Sequence, residues 1–271
     1  MFKRVTKEYP DVVGVVLAAG RGSRMRPITD FVPKPLLTVN NQRLLDLAFT
    51  RMSGIVDDLA VNAHHLPEQI AEAAAGFDPQ IQVSVETDVL LGTAGALARL
   101  RNWIDGRAVL LNNSDLWLSD PIDDFLRGWD GTRPRLLVQD VGRPADFGHL
   151  RYMGVSTVPA RIAAALRPEP SGLYSTVWRD AFARNELDFV QLTGTSFDCG
   201  TPGEFITANL SAAGTDSVVA PDAQITGSID RSVVLAGGRV GANEHLTCAI
   251  RDRFGNTLTA DPADVSVRPR G

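Results

Sequence analysis

Cysteine is scarce in this 271-residue sequence, and long apolar runs are absent. Cys199 and Cys248 are too few and too far apart for a disulfide framework or a zinc knuckle, so we expect two free thiols. The longest apolar runs, such as 12–19 and 108–111, fall well short of the roughly 20 residues that span a bilayer. No signal-like apolar stretch follows the first basic residues, which predicts a cytoplasmic protein.

An excess of positive charge is also missing, because 27 Lys and Arg residues face 32 Asp and Glu residues and the formal net charge is -5. Proteins that bind nucleic acid in general need a basic face that displaces counterions, and this composition argues against that class. A small local pocket for phosphates stays compatible with it. With 44% hydrophobic residues the chain can bury a substantial core, and a small molecule is the favoured partner.

Lysine is the rarer of the two strong cations, since the only lysines are Lys3, Lys7 and Lys34 and arginine supplies every later positive charge. Lys34 is therefore the only lysine in the part of the chain that is predicted to fold. It ends the stretch "LAAGRGSRMRPITDFVPKPL", residues 17–36, ten residues after Arg24. A proline on each side restricts the backbone around Lys34, so we expect a stiff segment to present its side chain.

Strand and helix patterns alternate along the first half of the chain. Apolar runs at 12–17, 59–62 and 108–111 and a period-two run at 81–85 predict strands. Helical spacing at 44–52, 66–75 and 93–100 predicts the intervening helices. This rhythm predicts an α/β sandwich with a mostly parallel sheet. Ligands bind beyond the carboxyl ends of such strands, where both the Gly20 loop and Asp115 are expected.

The spacing of the aliphatic residues changes after about residue 217. Aliphatic residues recur there at spacings of six, nine, six and six, at Val219, Ile225, Val234, Val240 and Leu246. This hexapeptide pattern predicts a short parallel β-helix of fewer than two complete coils, with irregular strands at a sheet edge as the alternative. So short a β-helix must pack on the α/β domain or on another subunit. The proline- and charge-containing tail from Asp261 is predicted to be loosely ordered.

The glycine turn at Gly20 and Gly22 can bring backbone amides close to phosphate oxygens. Taken alone it is a weak signal. A dinucleotide-binding turn would carry a third glycine where Met25 stands, and the Gly-Lys-Ser/Thr of an ATPase phosphate loop is absent. The specific part of the stretch is Arg24 directly after the turn, followed by the Pro-Lys-Pro-Leu of residues 33–36.

These residues resemble the signature of the sugar-1-phosphate nucleotidyltransferases, or nucleotide-sugar pyrophosphorylases. Further landmarks of that family follow in the same order, namely Glu86 with the 91–97 turn, Asn113-Ser114-Asp115, Phe147-Gly148, Met153-Gly154-Val155 and Asp198-Cys199-Gly200-Thr201. The resemblance covers residues 12 to about 212. It implies a tail at 1–11, a Rossmann-like nucleotidyltransferase domain at 12–216, a left-handed β-helix at 217–260 and a second tail at 261–271.

The resemblance implies transfer of a nucleotidyl group from a nucleoside triphosphate to a sugar-1-phosphate, with release of pyrophosphate. Arg24, Lys34, Asp115 and Asp198 are the implied catalytic residues, and the two aspartates are the implied Mg²⁺ ligands. On residue pattern alone the favoured interpretation of Asp198 is that it begins a turn, and the family resemblance reverses that preference. The implied nucleotide contacts are Leu17, Ala19, Gly20, Gly22, Ser23, Arg24, Glu86, Gly92, Thr93 and Asn113, and the implied substrate contacts are Lys34, Gly148 and Gly154.

Two departures from the family pattern bear on the substrate. Ser114 replaces a usual glycine or alanine and could add a hydroxyl near the phosphates, and the Glu-Lys-Pro segment between the sugar motifs is missing. The pattern is closest to guanylyltransferases for mannose- or heptose-type phosphates, with a uridylyltransferase for an amino-sugar or muramic acid phosphate as the alternative. A non-catalytic regulatory paralogue is a further alternative, and the β-helix could support a homo-oligomer.

Overall fold

The computed structural model describes residues 11–266. Strands and helices alternate through the first half of the chain, and strands dominate its end. The strands are β1 (Val12–Leu17), β2 (Thr38–Val39), β3 (Gln42–Arg43), β4 (Leu59–Ala63), β5 (Ile81–Val85), β6 (Ala108–Asn113), β7 (Leu116–Leu118), β8 (Arg135–Ala145), β9 (Gly148–Val158), β10 (Asp188–Gln191), β11 (Ser196–Asp198), β12 (Val218–Val219), β13 (Gln224–Ile225), β14 (Ser228–Asp230), β15 (Val233–Val234), β16 (Arg239–Val240), β17 (His245–Thr247), β18 (Ala249–Arg251) and β19 (Thr257–Thr259).

Seven α-helices accompany these strands within residues 11–266. They are α1 (Leu44–Ser53), α2 (Pro67–Ala75), α3 (Gly92–Arg99), α4 (Arg101–Ile104), α5 (Ala160–Ala165), α6 (Arg179–Ala183) and α7 (Pro202–Ala213). Short 3-10 turns lie at Ser23–Met25, Ile28–Asp30, Lys34–Leu36 and Pro262–Asp264, and a π-helical segment lies at Tyr174–Trp178. The strands and helices predicted for residues 12–100 are all present, with ends that differ by one or two residues.

Seven strands form the central sheet, in the order β10-β8-β9-β6-β1-β4-β5. Every neighbouring pair is parallel except the two pairs that involve β9, which runs antiparallel to both β6 and β8. The prediction of a mostly parallel α/β sheet is therefore confirmed. In β1, alternate residues such as Val13 and Val16 enter separate apolar clusters on the two faces of the sheet. Helices α1 and α2 cover one face, and α3 to α6 cover the other.

The end of the chain forms a parallel β-helix, as predicted, but with more coils than expected. Strands β12, β13 and β14 make one coil, and they pair with β15, β16 and β17 of a second coil. Strand β18 pairs with β15 and begins a third, and the antiparallel β19 ends it. The prediction of fewer than two coils was wrong because the third side, which contains Ile229, lies inside the one irregular spacing of nine residues.

Helix α7 joins the β-helix to the rest of the fold. Phe205 and Ile206 of α7 share an apolar cluster with Val233 and Ile250 of the coils, and Met25 of the loop after β1 belongs to the same cluster. The expectation that the β-helix packs on the α/β domain is confirmed. An interface with another subunit stays a prediction.

Residues 261–266 differ from the expectation of a loosely ordered tail. Val265 is buried, the Thr207 hydroxyl of α7 donates to the Asp264 carbonyl at 3.5 Å, and the Ser266 amide donates to the Thr207 hydroxyl at 3.2 Å. An apolar side chain and backbone hydrogen bonds to α7 order this stretch, which the prolines and charges do not reveal. The rest of that tail and residues 1–10 lie outside the described residues. Within residues 11–266 no helix is long and apolar enough to cross a membrane.

Candidate active site

The loop after β1 carries six of the predicted site residues. Leu17 ends the strand, and the chain turns at Gly22, whose φ of 61° lies in the left-handed region that favours glycine. Ser23 and Arg24 follow in a 3-10 turn with exposed side chains, while Met25 is buried beneath them. The turn thus presents the Arg24 cation and the backbone of residues 22–24 at the carboxyl edge of the sheet.

Hydrogen bonds brace the loop between Arg24 and Lys34. The Thr29 hydroxyl donates to the Gly22 carbonyl at 2.8 Å. The ring of His65 donates from Nε2 to the Thr29 carbonyl at 2.6 Å, and Gln69 Nε2 donates to the Phe31 carbonyl at 3.0 Å. The two predicted cations therefore stand at the ends of a loop that is tied both to itself and to α2.

Lys34 forms an ion pair with Asp115 by donating from Nζ to Oδ2. Lys34 is buried, with 9% of the residue exposed. A proline stands on each side of it, and Pro35 is itself buried, so the stiff segment presents the lysine into the protein rather than to solvent. Two charges that are far apart in sequence thus meet at the edge of the sheet.

The turn that carries Asp115 is held on both sides. The Ser114 amide and hydroxyl both donate to the Leu17 carbonyl, at 3.1 and 2.7 Å, and the Cys199 amide donates to the Asp115 carbonyl at 2.9 Å. The Ser114 hydroxyl therefore bonds to β1, and the expectation that it adds a hydroxyl near the phosphates stays a prediction. It acts as a tie between β1 and the turn.

Asp198 ends β11, which pairs with β7 so that Asp198 lies opposite Leu116, the residue after Asp115. Its Oδ1 is buried and has no hydrogen-bond partner within residues 11–266. Burial first, and then the Asp115 carboxylate, raises the pKa of Asp198. Two carboxylates are thus brought together with one buried oxygen left unpaired, an arrangement that is costly unless a cation joins them.

Arg24 reaches the same place from the other side. A Cβ at Gly200 would lie 2.6 Å from Arg24 Nη2 and 3.0 Å from Asp198 Oδ1, so Gly200 lies directly beside both groups and a side chain there would have to displace the guanidinium. The structure therefore brings all four predicted catalytic side chains together, from the loop after β1, the turn after β6 and the end of β11.

The donor set fits a hard divalent cation. Asp115 and Asp198 offer carboxylate oxygens, which Mg²⁺ prefers, and the unpaired Oδ1 of Asp198 is the kind of atom that such an ion would satisfy. No group of three or more His, Cys, Asp or Glu side chains that could hold a metal occurs within residues 11–266. The two aspartates would therefore share the ion with phosphate oxygens and water.

The Glu86 side chain is buried and held by hydrogen bonds within the protein, and its predicted nucleotide contact stays a prediction. It is 2% exposed, and its two carboxylate oxygens accept hydrogen bonds from Asn62 Nδ2 at 2.7 Å and from the Leu91 amide at 2.8 Å. Asn62 in turn accepts from the Ala18 amide at 2.8 Å. This chain of bonds ties the ends of β1 and β4 to the 87–91 loop. Sequence reasoning missed Asn62, although a buried polar residue at the end of a parallel strand is a usable signal.

Gly92 and Thr93 begin α3 and contact the segment that precedes the π-helical turn. The backbone of Gly92 lies against the Ser171 carbonyl, and the Thr93 hydroxyl accepts from the Leu173 amide at 2.8 Å. Both are thus in contact with a segment of the chain that no sequence motif had singled out.

Asn113 and the two predicted sugar-pocket glycines lie along β6 and β9. Asn113 is paired with Leu17 across the sheet, next to the glycine turn. The backbone of Gly154 lies beside the Asn113 side chain, whereas Gly148 is exposed at the start of β9 with open space around it. The structure places Gly154, but not Gly148, in contact with Asn113, which precedes the turn that carries Asp115.

A second buried polar chain supports that turn. Arg51 of α1 donates from Nη1 to Asn112 Oδ1 at 3.0 Å, and Asn112 Nδ2 donates to the Asn113 carbonyl at 2.7 Å. Burial lowers the pKa of Arg51 to about 10. Helical spacing alone placed this arginine on α1 without a role, because its partner is far away in sequence.

Comparison with known proteins identifies relatives of this arrangement. The family model described as "Nucleotidyl transferase" matches residues 13–154, slightly more than half of the chain. A mannose-1-phosphate guanylyltransferase catalytic subunit beta from Dictyostelium discoideum is 24% identical over 225 residues, which cover 71% of this chain and 62% of that protein. An N-acetylmuramate alpha-1-phosphate uridylyltransferase from Caulobacter vibrioides is 30% identical over 131 residues, 45% of this chain and 54% of that protein.

The chain thus spans less than two thirds of the length of either relative. A crystal structure from Bacillus anthracis, whose protein is described as a glucose-1-phosphate thymidylyltransferase in complex with a sucrose, has a TM-score of 0.63 and 18% identity. It covers 73% of this chain and 94% of that chain, and it supports the assignment of the fold.

Proposed function

Since the chain belongs to the nucleotidyl transferase family, we propose that it transfers a nucleotidyl group from a nucleoside triphosphate to a sugar-1-phosphate. The products are a nucleotide-diphosphate sugar and pyrophosphate. The observation that carries the proposal is the convergence of Arg24, Lys34, Asp115 and Asp198 at one edge of the sheet.

The chemistry of the reaction matches the residue types at this edge. A phosphate monoester has a second pKa of about 6, so the attacking oxygen is already anionic at neutral pH and no general base is needed. The difficult part is to bring two polyanions together, align them and hold the charge that develops on the leaving pyrophosphate. Cations and a metal serve that purpose.

The two cations take different phosphates in this proposal. Arg24, with the amides of Gly22 and Ser23, binds the β- and γ-phosphates that leave. Lys34 binds the α-phosphate together with the incoming sugar phosphate, and its distance from Arg24 along the braced loop supports this division. The ends of β1 and β4 and the start of α3 supply the base and ribose pocket, with Glu86 holding its backbone in place.

Asp115 and Asp198 are the proposed ligands of Mg²⁺, and their placement and the unpaired Asp198 oxygen support that role. When bound, the ion supplies positive charge to the phosphate oxygens. Lys34 keeps the Asp115 carboxylate oriented through their ion pair.

For the substrates we favour GTP with a mannose- or heptose-type phosphate, and UTP with an amino-sugar or muramic acid phosphate is the second candidate. A relative named for each activity supports both candidates. A silent regulatory role is less favoured because the four charged residues are all present at one edge of the sheet.

The proposal is tested by a matrix of nucleoside triphosphates against sugar-1-phosphates with Mg²⁺, with pyrophosphate release as the measurement. The matrix contains at least GTP and UTP against mannose-1-phosphate, a heptose-1-phosphate and N-acetylmuramate 1-phosphate. Release that needs both substrates supports the proposal. No release with any pair would overturn it and favour a regulatory role.

A further inference from the structure

A third cation lies beside the candidate site on β9. Arg151 Nη2 is 3.7 Å from Oε1 of Glu204, which stands in the first turn of α7. Helix α7 begins four residues after Asp198, and Glu204 accepts from the Thr201 hydroxyl, next to Gly200, whose backbone lies beside both Arg24 and Asp198. Arg151 therefore lies on the rim of the same charged cluster, although no sequence motif includes it.

The contact between Arg151 and Glu204 is a loose one. Their side chains are 43% and 35% exposed, and the distance between their charged atoms exceeds that of a hydrogen bond. Glu204 has a second, firmer partner, since its Oε2 accepts from the Thr201 hydroxyl at 3.0 Å. An exposed ion pair of this geometry contributes little to stability, so the guanidinium can leave Glu204 for a stronger anion at little cost.

Strand β9 also passes the place where the second substrate must enter. Gly154, three residues after Arg151, lies against Asn113, the residue at the end of β6 just before the turn that carries Asp115. The two predicted sugar contacts on β9, Gly148 and Gly154, bring no charge. Arg24 is engaged beside Asp198, and Lys34 is paired with Asp115. On this strand, Arg151 is therefore the loosely paired cation that is available to a phosphate dianion.

We propose that Arg151 binds the phosphate of the sugar-1-phosphate, with Glu204 as its partner before the substrate arrives. The planar guanidinium suits phosphate, because two of its N–H groups can bond to two phosphate oxygens at once. Glu204 excludes other anions from the arginine and keeps it beside the site. This role rests on the proposed function and adds a substrate-binding residue to it.

The test compares Arg151→Met and Arg151→Lys with the wild type in steady-state kinetics. The rate of pyrophosphate release is measured with GTP and mannose-1-phosphate, and with UTP and N-acetylmuramate 1-phosphate, by varying one substrate at a time. Arg184→Met is the matched control, because Arg184 pairs with Glu186 at 2.8 Å on the exposed surface and belongs to none of the site motifs. Thermal melting of each variant reports on folding.

We expect Arg151→Met to raise KM for the sugar-1-phosphate about tenfold or more, as the loss of a charge-assisted hydrogen bond predicts. KM for the nucleoside triphosphate and the melting temperature stay near the wild-type values, Arg151→Lys recovers part of the loss, and Arg184→Met changes none of these. An unchanged KM for the sugar phosphate in Arg151→Met, or equal losses for both substrates, would overturn the role of Arg151. Absence of release by the wild type would overturn the proposed function and this role together.

Discussion

Lys34 and Asp115, 81 residues apart in sequence, meet in an ion pair at the carboxyl edge of the central sheet. The lysine comes from the braced loop after β1, and the aspartate comes from the turn after β6. Because Lys34 is buried and the Asp115 side chain is 24% exposed, the pair lies in a region where charges act strongly on one another. This contact joins the loop after β1, the proposed nucleotide-binding loop, to the proposed metal ligands.

Removal of either partner should abolish turnover. Lys34→Ala takes away the cation for two phosphates, and Asp115→Ala takes away a metal ligand. Each change also leaves a partly buried charge without its partner, so we expect a lowered melting temperature in a protein that still folds. Pyrophosphate release and circular dichroism measure the two effects separately. Synthesis of nucleotide sugar by both variants at near wild-type rates would refute the assignment.

Glu86 should matter more for stability than for recognition of the base. Glu86→Ala leaves the Asn62 amide and the Leu91 amide without their acceptor, which predicts a loss of about 2–3 kcal/mol in the free energy of unfolding. Urea unfolding monitored by fluorescence measures this loss. Asp88→Ala, in the exposed loop that follows, is the control and should unfold like the wild type. An unchanged stability combined with a change in nucleobase preference would instead assign Glu86 a direct contact with the base.

We expect Glu244 to make the stability of the β-helix depend on pH. Hydrogen bonds from Arg251 and from the Gly241 amide lower the pKa of Glu244 below its ordinary value of 4.5. A carboxylate with a lowered pKa stabilises the fold above its ordinary pKa, and this contribution is lost as the pH falls below it.

Glu244→Gln should therefore melt at a lower temperature than the wild type at pH 7, and the difference should shrink as the pH falls below about 4.5. Glu186→Gln, which removes an exposed paired carboxylate, is the control. A difference that stays constant between pH 7 and pH 3.5 would exclude this linkage.

The β-helix should unfold together with the α/β sheet. Ile250 is fully buried among α7 residues, so Ile250→Ala predicts a loss of about 2–5 kcal/mol. Ile225→Ala, at a partly buried position within the coils, should cost less. Calorimetry should show one transition that shifts as a whole. A separate transition for the β-helix in the Ile250 variant would show that the coils fold independently of α7.

The sheet and its helices could be predicted from the sequence because burial imposes a regular pattern. The apolar run at 12–17 can satisfy its backbone and hide its side chains only as a central strand, and the structure has β1 there. Gly20 and Asp115 could likewise be placed at strand ends. The family resemblance implied that Lys34 and Asp115 are both catalytic, but neither it nor the spacing predicted their ion pair.

Other parts of the site depend on partners that are distant in sequence. The roles of Glu86 and Asn62 follow from a hydrogen bond between residues that are 24 apart in sequence, and that of Arg51 from one that spans 61 residues. The sequence does not reveal which group the Ser114 hydroxyl bonds to, because its acceptor, the Leu17 carbonyl of β1, is distant in sequence. Polar contacts of this kind have no periodicity, so a single sequence does not reveal them.

The central claim is that the α-phosphorus of the nucleotide is attacked, and phosphate labelling tests it most directly. The wild type is incubated with Mg²⁺ and the active substrate pair, once with label in the α-phosphate and once with label in the γ-phosphate. The account predicts that the α-label appears in the nucleotide sugar and the γ-label in pyrophosphate. It also predicts that Lys34→Ala forms neither of these labelled products. Transfer of γ-label to the sugar, or the same products without Lys34, would contradict it.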